Sequence, residues 1–408
     1  MKNLRSFNPT NEFLKTFEAE LKVDSPGRIN LIGEHTDYNK GFVMPTAIDR
    51  KISLQFRRNH TPDLCRIYSA TFNKGFEFNF NNEIEKASGW EDYILGVIQE
   101  LLNLNALLEG FDFILSSDIP VGAGMSSSAA LECGIASGLN SLFDLSLSDL
   151  QIVKLSQKAE NDFVGSNCGI MDQYSSVMSK KGKIIKLDCR SLEAEYIPAD
   201  FKNCKLLLLN TNVSHNLADS DYNSRREECE AAVVIIQKAK PEISSLRDLN
   251  IATLGEFKNQ LKGQMYKRCL YVLKENGRVQ KAANALKAGD LESFGKLMYA
   301  SHEGLQHKYE VSCQELDFLV DFSREKEFIH GSRMMGGGFG GCTINLIEEN
   351  MIENATKIGN YFLSQLKKIN SPYIKEIRGK GLMIGVELLP EVGEARRFCE
   401  QLMALGLL

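Results

Sequence analysis

Pro120-Val121-Gly122-Ala123-Gly124-Met125-Ser126-Ser127-Ser128-Ala129-Ala130 is the stretch on which the reading of this chain turns. It follows an apolar run, Phe111-Asp112-Phe113-Ile114-Leu115, that reads as a strand. It precedes Leu131, Ile135, Leu139 and Leu142, whose spacing predicts a helix over 127–142. Glycines let a backbone approach a ligand closely. The free N–H groups at a helix start favour an anion, and three consecutive serine hydroxyls add donors. No Gly-Lys-[Ser/Thr] ends the loop, so it is not a Walker A sequence and its charge partner must come from elsewhere. A Gly-x-Gly alone reads better as a turn with a serine cap. The proline, both glycines and Ser-Ser-Ser-Ala-Ala together point to phosphate.

Three further segments carry chemistry. Ser25-Pro26-Gly27-Arg28-Ile29-Asn30-Leu31-Ile32-Gly33-Glu34-His35-Thr36-Asp37-Tyr38 gathers Arg, Glu, His and Asp beside Pro and Gly. Carboxylates accept several hydroxyl hydrogen bonds, as a polyol requires; on composition alone the segment is a polar surface loop. Asn167-Cys168-Gly169-Ile170-Met171-Asp172-Gln173 places an acid after a helix that carries Glu160. A carboxylate near a phosphate loop suits Mg2+, which takes one or two carboxylates and completes its shell with phosphate oxygens; the plainer reading of either acid is a helix-surface charge. Gly336-Gly337-Gly338-Phe339-Gly340-Gly341 holds five glycines in six positions, an entropic cost that suits close approach to a ligand or to another loop.

The periodicity predicts helices over 11–21, 90–102 and 148–165, the last with Ser148 as N-cap, and two or three more between 222 and 297. Strands are expected at 52–56, 65–68, 183–187, 204–209 (this one buried) and 342–346. Residues 23–37 break the first helix and run polar. The elements alternate without a regular βαβ rhythm, so the expected class is α+β with two lobes.

With 408 residues, 43% hydrophobic and 25% charged, the chain suits two or three globular domains and not a disordered or fibrous protein. A net charge of −5 gives no global basic surface for nucleic acid. The ten cysteines are scattered without a C-x-x-C pair, which argues for buried thiols and the reducing cytoplasm. No segment reads as a signal peptide, and no apolar run reaches the ~20 residues of a membrane span.

Taken together, the segments resemble the GHMP kinases, the superfamily of galacto-, homoserine, mevalonate and phosphomevalonate kinases. Residues 120–130 look like its second motif and 335–342 like its third. The stretch 27–38 and Cys168–Gln173 resemble the galactokinase pattern in particular, and the likeness runs from about residue 10 to about 350. The resemblance implies a two-lobed fold, with lobes at 1–195 and 196–368 and the site in the cleft between them. It implies ATP-dependent phosphorylation of galactose at the C1 hydroxyl with Mg2+ as cofactor. Asp172 would be the catalytic carboxylate and Arg28 its partner; Glu34, His35, Thr36, Asp37, Gly169 and Tyr222 would contact the sugar. Gly122, Ala123, Gly124, Met125, Ser126, Ser127 and Ser128 would wrap the ATP phosphates. Ser128 and Glu160 would hold Mg2+, and Ser69 and Trp90 would lie near adenine. Galactose and ATP would be the partners of a cytoplasmic monomer, with no nucleic acid and no membrane.

Two other readings stand beside this one: a galactose and ATP sensor without turnover, and a kinase for N-acetylgalactosamine or arabinose. Silent relatives look damaged in the Ser-rich loop, which is intact here. The end departs from the pattern. Residues 373–388 and 393–408 resemble the C-terminus of class-III aminotransferases of the acetylornithine type, without the large domain that would give a cofactor lysine its context. The tail, 369–408, is expected to pack and not to catalyse, with 373–377 substituting for a last strand of the kinase sheet.

Overall fold

The apolar alternation around Phe113 lies within a six-stranded sheet. The computed structural model describes residues 3–120, 122–213, 221–369 and 371–392. Its largest sheet runs, in spatial order, Arg5–Ser6, Lys74–Asn79, Leu64–Ser69, Phe111–Ser117, Pro45–Arg58 and Leu21–Asn30. Leu64–Ser69 and Phe111–Ser117 pair in parallel; the other neighbours are antiparallel. Phe113 faces Phe56 and Leu115 faces Leu54 across the ladder, giving one apolar face. On the other face, buried Asp112 accepts from Arg57 Nε at 3.0 Å, Arg66 Nε at 2.8 Å and Asn59 Nδ2 at 2.8 Å, so its charge is paired and hydrogen-bonded.

The helix Ser127–Leu142 lies on the apolar face, and the expected stripe of Leu131, Ile135, Leu139 and Leu142 is buried. Its glycines set the distance: a Cβ on Gly138 would come within 2.3 Å of the Phe56 ring, and one on Gly134 within 2.6 Å of Leu54. The phosphate-loop candidate joins the end of the sheet strand Phe111–Ser117 to the start of this helix.

Three expectations are corrected. The first helix covers Asn11–Lys15 only, and Leu21–Asn30 is a strand. Pro26 is tolerated there because the strand is at the sheet edge and shifts register between Pro26 and Arg28. The helix expected over 148–165 starts under a Ser148–Gln151 capping box but ends at Lys158, and Ala159–Val164, with Glu160, forms a π-helical turn. The strand Cys204–Asn210 is at the edge of a three-stranded sheet with Cys342–Glu348 and Ile329–Met335, and only Cys204 in it is buried.

The chain divides into two compact units, Met1–Phe201 with Leu206–Leu346, and Lys202–Lys205 with Ile347–Leu408. The first unit contains a second core around Tyr271, Tyr309, Cys229 and Cys269, built on the helices Asp221–Gln237 and Met265–Ala288 and the π-helical turn Leu305–Tyr309. In the second unit, the helix Glu349–Leu366 packs on a hairpin, Ile374–Lys380 with Met383–Leu388. Gly359 lets them meet: a Cβ there would lie 1.9 Å from the Gly381 carbonyl. The expected replacement strand therefore pairs within its own hairpin and not with a kinase sheet, because a two-residue turn closes at less entropic cost than a long-range pairing. Residues 393–408 lie outside the described part. Among the described residues, no helix is long and apolar enough to cross a membrane.

Candidate active site

The second half of the Ser25–Tyr38 segment, the serine loop, Cys168–Asp172 and the glycine run converge on one cavity of about 400 Å³. At its centre Arg28 donates to Asp172 twice, Nε to Oδ1 and Nη2 to Oδ2, each at 2.7 Å. The third guanidinium nitrogen donates to the Gly124 carbonyl at 2.6 Å. Arg28 is buried while the Asp172 side chain is 24% exposed, so the acid is the member of the pair that faces the cavity. The Ser126 hydroxyl also donates to Asp172. Ser126 occupies the N-cap position of the loop helix in a left-handed conformation and makes no cap hydrogen bond, so the simple serine-cap reading does not hold.

The two glycine loops touch backbone to backbone. Gly124, at φ 72°, has room for no Cβ without approaching the Met335 carbonyl to 3.1 Å, and a Cβ on Gly336 would meet Gly124 Cα at 3.3 Å. That contact accounts for glycines in both segments. Residues 122–128 line one wall, with the N-terminus of the Ser127–Leu142 helix directed at the cavity. Val121 lies outside the described residues.

Glu34, His35, Asp37, Gly169 and Tyr222 also line the cavity. Glu34 is fixed by Arg333 Nη2 at 2.5 Å and Gly336 N at 2.9 Å on one oxygen, and by Asn30 on the other. Asp37 is pushed up to about 7 by burial and by the nearby charge of Asp172. Gly169 is required beside it, since a Cβ there would sit 2.0 Å from Asp37 Oδ2. Burial drives the His35 imidazole down to about 3, so the ring is neutral and is no general base. Tyr222 packs on it with ring centroids 5.3 Å apart. The neighbouring stretch 218–220 lies outside the described residues.

Thr36 and Ser69 do not line the cavity. Thr36 spends its hydroxyl on the Gly33 and Phe42 carbonyls, at 2.8 and 2.7 Å, and holds the turn that presents its neighbours. Ser69 accepts from Phe72 N at 3.2 Å, closing a turn, and Trp90 packs against Phe72 and Phe76.

Ser128 and Glu160 meet by a side-chain hydrogen bond at the cavity wall. Burial and the charge of Asp172 raise Glu160 to about 7. Gln173 Nε2 donates to it at 2.6 Å. A hydroxyl and a carboxylate are hard oxygen donors of the kind Mg2+ takes. Among the described residues, no group of three or more His, Cys, Asp or Glu is placed to hold a metal.

Two residues escaped the sequence reading. Glu132 is fully buried behind Glu160, and burial and the Glu160 charge raise it well above the usual carboxylate range. Its spacing of four from Ser128 puts it on the same helix face, which was the available signal. Arg333 is fully buried and donates to the Leu31 and Asn30 carbonyls as well as to Glu34. An arginine two residues before the Met335–Cys342 glycine segment was its only mark.

The galactokinase galactose-binding signature matches residues 11–58, the GHMP kinase N-terminal domain 92–180 and the GHMP kinase C-terminal region 282–358. The chain is 44% identical to a galactokinase of Thermosipho africanus over 338 residues, 83% of this chain and 92% of the relative. It is 39% identical to one of Fusobacterium nucleatum over 379 residues, 91% and 97%. The chain belongs to the galactokinase family. The crystal structure of Lactococcus lactis galactokinase complexed with galactose superposes with a TM-score of 0.79 at 34% identity, covering 88% of this chain and 94% of that one. Methanococcus jannaschii mevalonate kinase, at TM-score 0.59 and 21% identity over 87% and 96%, shares the fold. The galactokinase likeness thus covers all the segments that meet at the cavity. The class-III aminotransferase pattern matches residues 341–408.

Proposed function

We propose that the chain transfers the γ-phosphoryl group of ATP to the C1 hydroxyl of D-galactose, giving galactose 1-phosphate and ADP. The observation that carries this reading is the Arg28–Asp172 pair, set where the wall of residues 122–128 meets the Glu34–Asp37 end of one cavity. Phosphoryl transfer needs positioning and neutralisation of charge more than covalent chemistry. In this reading Glu34, Asp37, His35, Gly169 and Tyr222 hold the sugar, and Asp172 accepts the proton of the attacking hydroxyl. The guanidinium beside Asp172 holds it in place and stabilises charge on the transferred group. The loop amides and the serines of 126–128 take the ATP phosphates. Ser128 and Glu160 would hold Mg2+, which when bound neutralises phosphate charge. Thr36 supports the sugar end from behind.

Residues 1–195 and 196–368 act as the two kinase lobes, and 369–408 is an aminotransferase-like tail that packs and does not catalyse. The protein works as a cytoplasmic monomer. Coupled ADP release across a panel of monosaccharides tests the reading. Mg2+-dependent turnover fastest with galactose is expected. Faster turnover of N-acetylgalactosamine or arabinose replaces the sugar, and binding of galactose and ATP without ADP release makes the chain a sensor.

A further inference from the structure

Behind His35 runs a chain of hydroxyls that the proposed chemistry leaves unused. His35 Nδ1 lies 2.7 Å from the Tyr38 hydroxyl, which lies 2.8 Å from the Tyr309 hydroxyl, which lies 3.3 Å from the buried Cys229 thiol. The His35 ring is wedged between Tyr222 and Tyr309, at centroid distances of 5.3 and 4.8 Å, and adopts φ 60° to enter that slot. Its Nε2 makes no hydrogen bond of full geometry among the described residues, although the residue is 95% buried and borders the cavity, and the Gly337 backbone is the polar group beside the ring.

A neutral imidazole has one N–H and one accepting nitrogen. The chain can therefore run from thiol to ring or from ring to thiol. Sulfur is a weak acceptor, whereas an imidazole nitrogen is a good acceptor for a phenol proton, so the order that ends on the ring is the stronger one. It leaves the proton on Nε2. Glu34 and Asp37, the acids at the same end of the cavity, act as acceptors when ionised, so a fixed N–H adds what they lack.

We infer that Tyr38 and Tyr309 are positioning residues for the sugar end of the cavity: their hydroxyls hold His35 in the tautomer whose Nε2–H points to the ligand and donates to a galactose oxygen. The inference deepens the galactose kinase reading and rests on it for the identity of the ligand.

The test is 15N NMR of the imidazole groups in the unliganded protein, six histidines in all, with His35→Gln used to assign the signal. It is combined with steady-state kinetics and calorimetry on Tyr38→Phe and Tyr309→Phe. The wild-type ring should show a protonated Nε2 and an accepting Nδ1. Each variant should shift that signal towards a mixture and raise both Kd and KM for galactose by roughly three- to twentyfold, the worth of one hydrogen bond. The kcat at saturating galactose and the Kd for ATP should stay within about twofold. The effect of Tyr309→Phe should largely vanish in a Tyr38→Phe background. A wild-type ring protonated on Nδ1 overturns the inference. So does an unchanged tautomer and KM in Tyr309→Phe, or a loss shared equally by galactose and ATP together with a lower Tm. Because the NMR measurement needs no ligand, a wild-type protein inactive on galactose sinks the kinase reading while the tautomer still judges the hydroxyl chain.

Discussion

Asp172 is held three times, by two guanidinium bonds and one serine hydroxyl, yet keeps a quarter of its side chain exposed. A carboxylate so held is aimed without being used up. Asp172→Asn keeps the shape and loses the ionised acceptor, so kcat should fall by about 10²–10⁴-fold, the scale of lost general-base help. Single-turnover ADP formation checks this, and near-normal turnover means that no base is required. Glu160 is placed differently, hydrogen-bonded to Ser128 and Gln173. Glu160→Gln should raise the Mg2+ concentration needed for half-maximal rate several-fold while calorimetry with galactose alone shows an unchanged Kd. A large loss of sugar affinity in this variant places Glu160 in the wrong subsite.

At the scale of elements, glycine does most of the arranging. Gly124 combines a left-handed backbone with a close approach to Met335, so Gly124→Ala faces both strain and a clash. Its cost should be about 1–3 kcal/mol of stability, read by denaturant titration, together with weaker ATP binding. The glycine and serine loops were legible in the sequence because those residue types answer a backbone demand that is visible without any partner. The Ser148 cap was legible for the same reason. The strand Leu21–Asn30 was not: Pro26 and Gly27 are breakers in isolation, and only an edge position with a bulge makes them compatible with a ladder. Glu132 and Arg333 were invisible for a related reason. A charge in an apolar pattern looks like a surface residue until Glu160 and Glu34, distant in sequence, are placed beside it. Thr36 and Ser69 lie outside the cavity lining, with hydroxyls that close turns, because adjacency to a motif does not say whether a hydroxyl turns outward or caps a turn.

For the whole molecule, acid and truncation probe different parts. His302 is buried, accepts from Met334 N at 3.2 Å, and is pushed down to about 4 by that burial, despite Asp317 3.3 Å from its other nitrogen. The unfolded chain takes up this proton first, near 6.5, so the stability His302 confers is present above that pH and is lost as pH falls towards 4. Asp37 acts in the other sense: its raised folded value favours the native state at low pH, and this is lost as pH rises from about 4 to about 7. His302→Gln removes only the first slope. The variant should melt below the wild type at pH 7, and the gap should narrow by pH 5; an equal gap at both pH values excludes a buried neutral histidine. Every residue given a chemical role lies in the first compact unit. A chain ending at Lys368 should therefore retain galactose-dependent ADP formation within about threefold, even if the bare face of the Glu349–Leu366 helix lowers its solubility. Abolished activity at an unchanged Tm contradicts the assignment.

The ion pair of Glu34 with Arg333 joins residues 299 positions apart. A ribosome adding about 5–20 residues per second makes the second member some 15–60 s after the first. During that interval Glu34 lacks the guanidinium that donates to it and has only the charge of Arg28, itself bonded to Asp172, to offset its burial, and a carboxylate buried so is costly for a nascent fold to accept. The N-terminal half should therefore wait, its Glu34–Asp37 turn open to water, until the last strands of the first unit emerge. Synthesis thus sets a clock on this enzyme: the site is completed only near the end of translation, and a chain stalled before Arg333 should be open to protease at the very turn that later becomes one of its most buried.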